Sequence, residues 1–210
     1  MEDIILKFNE DFGPRGGFTL VELLVSITIF ALSIGVIIQL FVFSLHAERR
    51  LSDHSQLMNE ASYNMEHITR GLRMAAVPVA SCVADTNKSY ELTTNHTKCD
   101  GLTPASGVRF ASPVFIGAVE TADCVEYYED CLDGRPTLME YRRNLSTGEE
   151  YTLPLTSPEV ELTGFEVSGV GLLRDDQLQP RITISIETKC GENQKLKLQT
   201  TVSKRTLDIL

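Results

Sequence analysis

The chain contains no C-x-x-C pair, no run of Lys and Arg, no H-E-x-x-H, no G-x-S-x-G and no phosphate-cradling glycine loop. The first absence removes zinc ribbons and thioredoxin-like redox sites. The second argues against a nucleic-acid partner, because binding along a phosphate backbone needs clustered cations to release counterions. A net charge of −10 points the same way. The remaining absences leave no recognisable catalytic constellation, so the chain reads as a non-enzyme without a cofactor. His46, His54 and His67 fall along one helical stretch and His96 lies in a loop segment, which gives no metal-ligand cluster. An acidic stretch, Glu120, Asp123, Glu126, Glu129, Asp130 and Asp133, lacks EF-hand spacing and is interrupted by Tyr127, Tyr128 and Cys131. It is read as a solvated acidic loop, with no metal. The Asn-x-Ser/Thr triplets at Asn87, Asn95 and Asn144 are read as chance.

Charge is also missing from Leu23 to Leu45, where Gln39 is the most polar residue. At about 1.5 Å per residue this run makes a helix of roughly 34 Å, enough to cross a bilayer core. A cleaved secretory signal fits poorly. Residues 1–17 carry Lys7 and Arg15 against Glu2, Asp3, Glu10 and Asp11, a balance of 2 − 4 = −2. A signal would be basic before the apolar run and shorter within it. A plain anchor fits the length but not Glu22, which follows Phe18-Thr19-Leu20-Val21 and lies inside the hydrophobic segment. A carboxylate held there costs on the order of 2.5–3.5 kcal/mol, so it implies a partner or a function. Cutting the chain after Gly17 would give Phe18 a free α-ammonium one helical turn from Glu22. Staggered neighbours could then pair the amine of one chain with the carboxylate of the next.

The segment Gly17-Phe18-Thr19-Leu20-Val21-Glu22, leading into the apolar run, resembles the processing site of type IV prepilins and type II secretion pseudopilins. The resemblance implies that a prepilin peptidase cuts between Gly17 and Phe18 and methylates the new Phe18 amine. It also implies that Glu22 serves subunit contact in assembly. Glycine suits the cut because, without a side chain, it lets a peptidase approach the backbone. His67-Ile68-Thr69-Arg70-Gly71-Leu72-Arg73-Met74-Ala75 resembles the T-R-x-L-R-x-A helix end of J-type pseudopilins and W-type minor pilins. The chain departs from the commonest pattern in its acidic leader and in carrying Gln39 where many major pilins have a kinking proline.

Beyond His46, Leu51, Met58, Ala61, Met65, Ile68 and Leu72 recur on one helical face, with Glu48, Arg49, Asp53, Glu60 and Glu66 opposite. The first proline after the cut site is Pro78, so the helix is expected to run to about Ala76. Alternation over Arg181–Thr188 and Lys195–Val202, with Cys190-Gly191-Glu192-Asn193 between them, predicts an antiparallel hairpin. Thr137–Arg143, Tyr151–Leu155 and Val160–Val167 are expected to be strands of the same sheet, and Val79–Pro104 a long loop. The fold class is therefore α+β, a long N-terminal helix packed against an antiparallel β-sheet head. The expected segments are 1–17 (cleaved leader), 18–47 (transmembrane and filament-core half of the helix), 48–76 (amphipathic half) and 77–210 (periplasmic or extracellular head).

All five cysteines lie beyond residue 80. An exported head makes disulfides the natural state, against the alternative that all five are reduced and buried. Two bridges among five cysteines allow 5 × 3 = 15 arrangements. Closeness in the chain favours Cys82–Cys99 and Cys124–Cys131, leaving Cys190 free.

Taken with the resemblance, these features imply a structural minor pilin or pseudopilin, single-pass in the inner membrane and contributing to assembly initiation in a type IV pilus or type II secretion filament. Its expected partners are the prepilin peptidase, other pilins, the inner-membrane assembly platform and membrane lipid. A second reading makes the head an adhesin or cargo-binding module carried on a pilin stem.

Overall fold

The computed structural model describes residues 17–116, 119–174, 178–190 and 194–204. The chain divides into two units, Met1–Arg49 and Arg50–Leu210. One helix, α1 (Leu20–Arg73), begins in the first unit and ends in the second.

In the first unit the apolar side chains of α1 are exposed along its whole length, from Leu20 and Val21 to Phe43 and Leu45. Three of its hydroxyls are satisfied by the helix itself. Ser26 Oγ donates to the Glu22 carbonyl, Thr28 Oγ1 to Val25 and Ser33 Oγ to Ile29, each at 2.8 Å. Such internal pairing suits an apolar medium that offers no other acceptor.

In the second unit α1 stops at Arg73, three residues short of the expected Ala76, because its last turn tightens and is capped from the head. Met74 N donates to Gly71 O and Ala75 N to Leu72 O, i→i−3 bonds that close the helix. Tyr90 Oη donates to the Leu72 carbonyl at 2.6 Å, and Ala76 N turns to Ala111 O. Arg70 and Arg73 sit in the last turn, where cations favour the helix dipole.

Eight strands follow: β1 (Glu91–Thr97), β2 (Pro104–Ile116), β3 (Val119–Leu132), β4 (Arg135–Asn144), β5 (Glu150–Pro154), β6 (Glu161–Val170), β7 (Arg181–Cys190) and β8 (Gln194–Ser203). They form two antiparallel sheets, β1-β2-β3-β4-β5 and β6-β7-β8, not the single sheet expected from sequence. Both sheets feed one core. Met65, Ile68 and Leu72 of α1 pack with Val108, Phe110, Val125, Tyr127 and Leu138 of the larger sheet and with Phe165, Ile182, Ile184 and Ile186 of the smaller. The β7–β8 hairpin has the expected alternation, with Ile186 opposite Leu198. Its turn, Gly191-Glu192-Asn193, lies outside the described residues.

Three sequence expectations change. The buried stripe of α1 is Leu57, Ala61, Asn64, Met65, Ile68 and Leu72, while Leu51 is 71% exposed and Met58 is also exposed. A residue spacing of seven drifts about 20° per repeat on a 3.6-residue helix, so a face extended backwards by sevens rotates off the core. The Val79–Pro104 loop contains strand β1. The acidic stretch is no solvated loop but β3, with Asp123, Glu126 and Glu129 buried. Their charges are met by Arg142 at 3.6 Å from Asp123, Arg109 at 2.6 Å from Glu126 and Lys98 at 3.5 Å from Glu129. The strand ends in the pair Asp133-Gly134, with φ of 52° and 75°, a tight hairpin turn joining Leu132 to Arg135.

The disulfides cross the expected pairing: Cys82 bonds Cys124 and Cys99 bonds Cys131, with Cα–Cα distances of 5.2 and 4.8 Å. Cys124 and Cys131 both lie on β3, seven residues apart, which places them roughly 23 Å apart on opposite faces. They cannot reach one another. Instead each staples a preceding loop to the strand. Cys190 carries no disulfide. Burial pushes its thiol up, and Asp53, Glu159 and Glu60 push it further, so it stays protonated and poorly nucleophilic.

Gly71 faces Tyr127 closely: a Cβ there would lie 2.8 Å from the Tyr127 Oη, while the next nearest atoms are at ordinary contact distances. Tyr127 is almost wholly buried and cannot swing away. Gly71→Ala should therefore destabilise the head by about 1–3 kcal/mol in urea unfolding followed by circular dichroism. Adding Tyr127→Phe, which removes the clashing oxygen, should recover most of that loss. Peptide mapping of the unreduced protein after trypsin and Glu-C digestion, which separates Cys124 from Cys131, should give linked peptides for Cys82–Cys124 and Cys99–Cys131. Peptides joining Cys82 to Cys99 would contradict the fold.

Candidate functional site

The start of α1 holds the residues that sequence singles out. Gly17 and Phe18 precede the helix, Thr19 is its N-cap, and Glu22 is the third residue of its first turn. The Thr19 side chain accepts a hydrogen bond from Glu22 N at 3.3 Å, and the Thr19 carbonyl accepts from Leu23 N at 3.2 Å. This is one half of a capping box, T-x-x-E, in which the acidic residue sits where the helix dipole is positive. Sequence reasoning assigned Glu22 to intersubunit contact alone and missed Thr19. The four-residue spacing Thr19-Leu20-Val21-Glu22 was the signal that could have found the cap.

Gly17 is exposed, and a Cβ built on it meets nothing within 4 Å. Nothing within the fold therefore demands glycine at this position. Phe18 is 79% exposed, so its ring has no place in a core of this chain. Glu22 is followed by a segment without any charge, and the next basic residues along α1 are Arg49 and Arg50. Within the helix, a counter-charge for Glu22 lies too many turns away to help.

At the other end of α1, polar contacts lock the helix to the head. Glu60 accepts from both the Ser157 amide, at 2.6 Å, and the Ser157 hydroxyl, at 2.7 Å. His67 Nε2 lies 2.7 Å from the buried Glu140, which also accepts from Arg142. The Tyr127 phenol beside them is pushed well up by burial and by the Glu140 carboxylate, and so remains a neutral hydroxyl. These contacts fix the rotation of the helix within the head. Among the described residues, no group of three His, Cys, Asp or Glu side chains is placed to hold a metal ion.

The arrangement can do one thing chemically at its N-terminus. It presents a flexible-backbone glycine, an unpacked aromatic and a capped first turn with a carboxylate, ahead of an exposed apolar rod long enough to cross a membrane. Comparison with protein-family models matches residues 14–38 to the prokaryotic N-terminal methylation motif. No curated protein and no solved structure matches the chain. The α+β architecture, one long apolar N-terminal helix with antiparallel sheets, is consistent with the pilin fold. The matched segment, 25 of the 210 residues, spans Gly17, Phe18, Glu22 and the start of the apolar run, and supports a type IV pilin-like N-terminus.

Proposed function

We propose that this protein is a minor structural subunit of a type IV pilus or type II secretion filament. The peptidase cuts between Gly17 and Phe18, the Phe18 amine is methylated, and Glu22 pairs with the Phe18 amine of a neighbouring subunit. The observation that carries the reading is the methylation motif at residues 14–38, set on a helix whose apolar half finds no core of its own. Under this reading residues 1–17 are the leader, 18–47 the membrane and filament-core segment, 48–76 the amphipathic half of the helix and 77–210 the head. The head lies outside the cytoplasm. Two disulfides in it favour an oxidising compartment.

Removal of the leader leaves 210 − 17 = 193 residues, most of them in the head, which suits a minor subunit near the filament tip. The helix-end segment His67–Ala75 favours a J- or W-type role in priming assembly. Lipid surrounds the apolar half before assembly, and an inner-membrane platform extracts it. This division of labour separates a stem built for neighbours from a head built for position within the tip.

Intact-mass spectrometry of the membrane-extracted protein should give a chain beginning at Phe18 and carrying one methyl group on its amine. Gly17→Val should leave the uncut precursor in the membrane, since a branched side chain blocks backbone approach. Deleting the gene should abolish filaments. Intact filaments that fail only in adhesion or uptake would transfer the role to a stem-borne binding module.

A further inference from the structure

Once lipid surrounds the apolar stretch of α1, every polar side chain on it needs a hydrogen-bond partner, because the bilayer core supplies none. Ser26, Thr28 and Ser33 find theirs in carbonyls of their own helix. Ser44 lies one residue from the end of the stretch, within reach of water. Gln39 has neither recourse. It sits 45 − 39 = 6 residues inside Leu45, about 9 Å at the helical rise. Its side-chain amide makes no hydrogen bond to any described residue, and the side chain is exposed on the helix surface.

A primary amide carries two N–H donors and a carbonyl acceptor, so two such groups can satisfy each other with a reciprocal pair of bonds. Gly35 lies one turn before Gln39 on the same face. A Cβ built on Gly35 meets nothing within 4 Å, so packing within this chain does not require the missing side chain. Glycine in a helix interior lowers stability relative to alanine, but in a membrane helix it lets a second backbone come close. One face of the stretch therefore combines close approach with a polar clasp.

We propose that Gln39 pairs with Gln39 of a second copy of this chain, joining the apolar helices as a parallel homodimer in the membrane before filament entry. The inference rests on the membrane-anchored, pilin-like reading above and adds a partner to it. A second copy fits better than a different helix because the amide is its own complement and identical chains carry it at identical depth. Both copies insert with the same orientation, so the contact is isologous about an axis along the bilayer normal. This arrangement differs from the staggered pairing of Glu22 with a neighbour's Phe18 amine, because unstaggered copies set like residues side by side. Glu22 is 39 − 22 = 17 residues from Gln39, roughly 25 Å along the helix. Helices that cross at Gly35 and Gln39 diverge over that length, which keeps the two carboxylates apart.

The test uses the mature full-length chain in density-matched detergent micelles, followed by sedimentation equilibrium. The parent should show a reversible monomer–dimer equilibrium. Gln39→Met, which keeps the reach of the side chain and removes the amide, should weaken dimerisation roughly fivefold or more. Gln39→Asn, which keeps the amide, should retain part of it. Gly35→Ile should also weaken the dimer, by holding the backbones apart. Circular dichroism of each variant should match that of the parent. In cells, two differently tagged parent copies should be recovered together from membranes, and two Gln39→Met copies should not. Intact mass separates the two ways of failing. Uncut parent chain in the membrane would overturn the pilin-like reading itself. Normal cleavage after Gly17 with a monomeric parent, or with undiminished dimerisation of either Gln39→Met or Gly35→Ile, would overturn the Gln39 pair alone. Gln39-dependent recovery of a different membrane protein, without a second copy, would overturn it as well.

Discussion

A carboxylate in the first turn of a helix, ahead of an uncharged apolar stretch from Leu23 to Leu45, must be neutralised before that stretch can be stored in lipid or bundled with its neighbours. Glu22 occupies that position, and the demand it makes organises the proposed life of the chain. Within the helix its charge is eased by the N-terminal dipole, while the cap at Thr19 satisfies the Glu22 backbone N–H and not its carboxylate. The dipole is worth about 1 kcal/mol, less than the cost of holding a carboxylate in an apolar medium. The balance has to come from a cation that the chain does not supply along the helix until Arg49. Under the proposed processing, cleavage at Gly17 would create one on Phe18, and a staggered neighbour would bring it into contact. In that proposal proteolysis, anchoring and polymerisation would be coupled through a single ion pair, which could not form before the leader was removed.

The head follows a different logic, in which charge is buried and matched inside one chain. β3 runs through the centre of the larger sheet carrying Asp123, Glu126 and Glu129, and each meets a cation from a flanking strand or loop. Removing one partner of such a pair would leave a charge stranded in low dielectric, which is why the surrounding strands are held in register. Both disulfides also end on β3, so the strand is fixed by charge pairing and by covalent staples. The helix is keyed into this frame by Gly71 against Tyr127, by Glu60 at Ser157 and by His67 at Glu140.

The N-terminus was legible in sequence because membrane physics and peptidase chemistry constrain individual residues there. The β7–β8 hairpin was legible because one face is buried, and alternation at Ile182, Ile184 and Ile186 records it. β2 and β3 were hidden for the opposite reason. Both faces of β3 are covered, so alternation vanishes, and its buried carboxylates imitate a solvated loop. The Asp133-Gly134 turn was the local sign that a strand ended there. The disulfide pairing depends on which loop lies over which face of β3, a tertiary fact without a local signature. The splitting of the strands into two sheets is of the same kind. Thr19 was overlooked because the intersubunit role proposed for Glu22 drew attention away from the simpler cap beside it.

Capping and intersubunit pairing make separable demands on residue 22. Glutamine keeps the size of the side chain and the backbone N–H that Thr19 caps, but carries no charge. The decisive measurement is the amount of Glu22→Gln protein recovered in sheared filaments relative to the amount cleaved and present in the membrane. The account predicts normal cleavage at Phe18 with incorporation largely lost. Glu22→Gln entering filaments as readily as the parent would show that the charge is dispensable and contradict the pairing of Glu22 with a neighbour's amine.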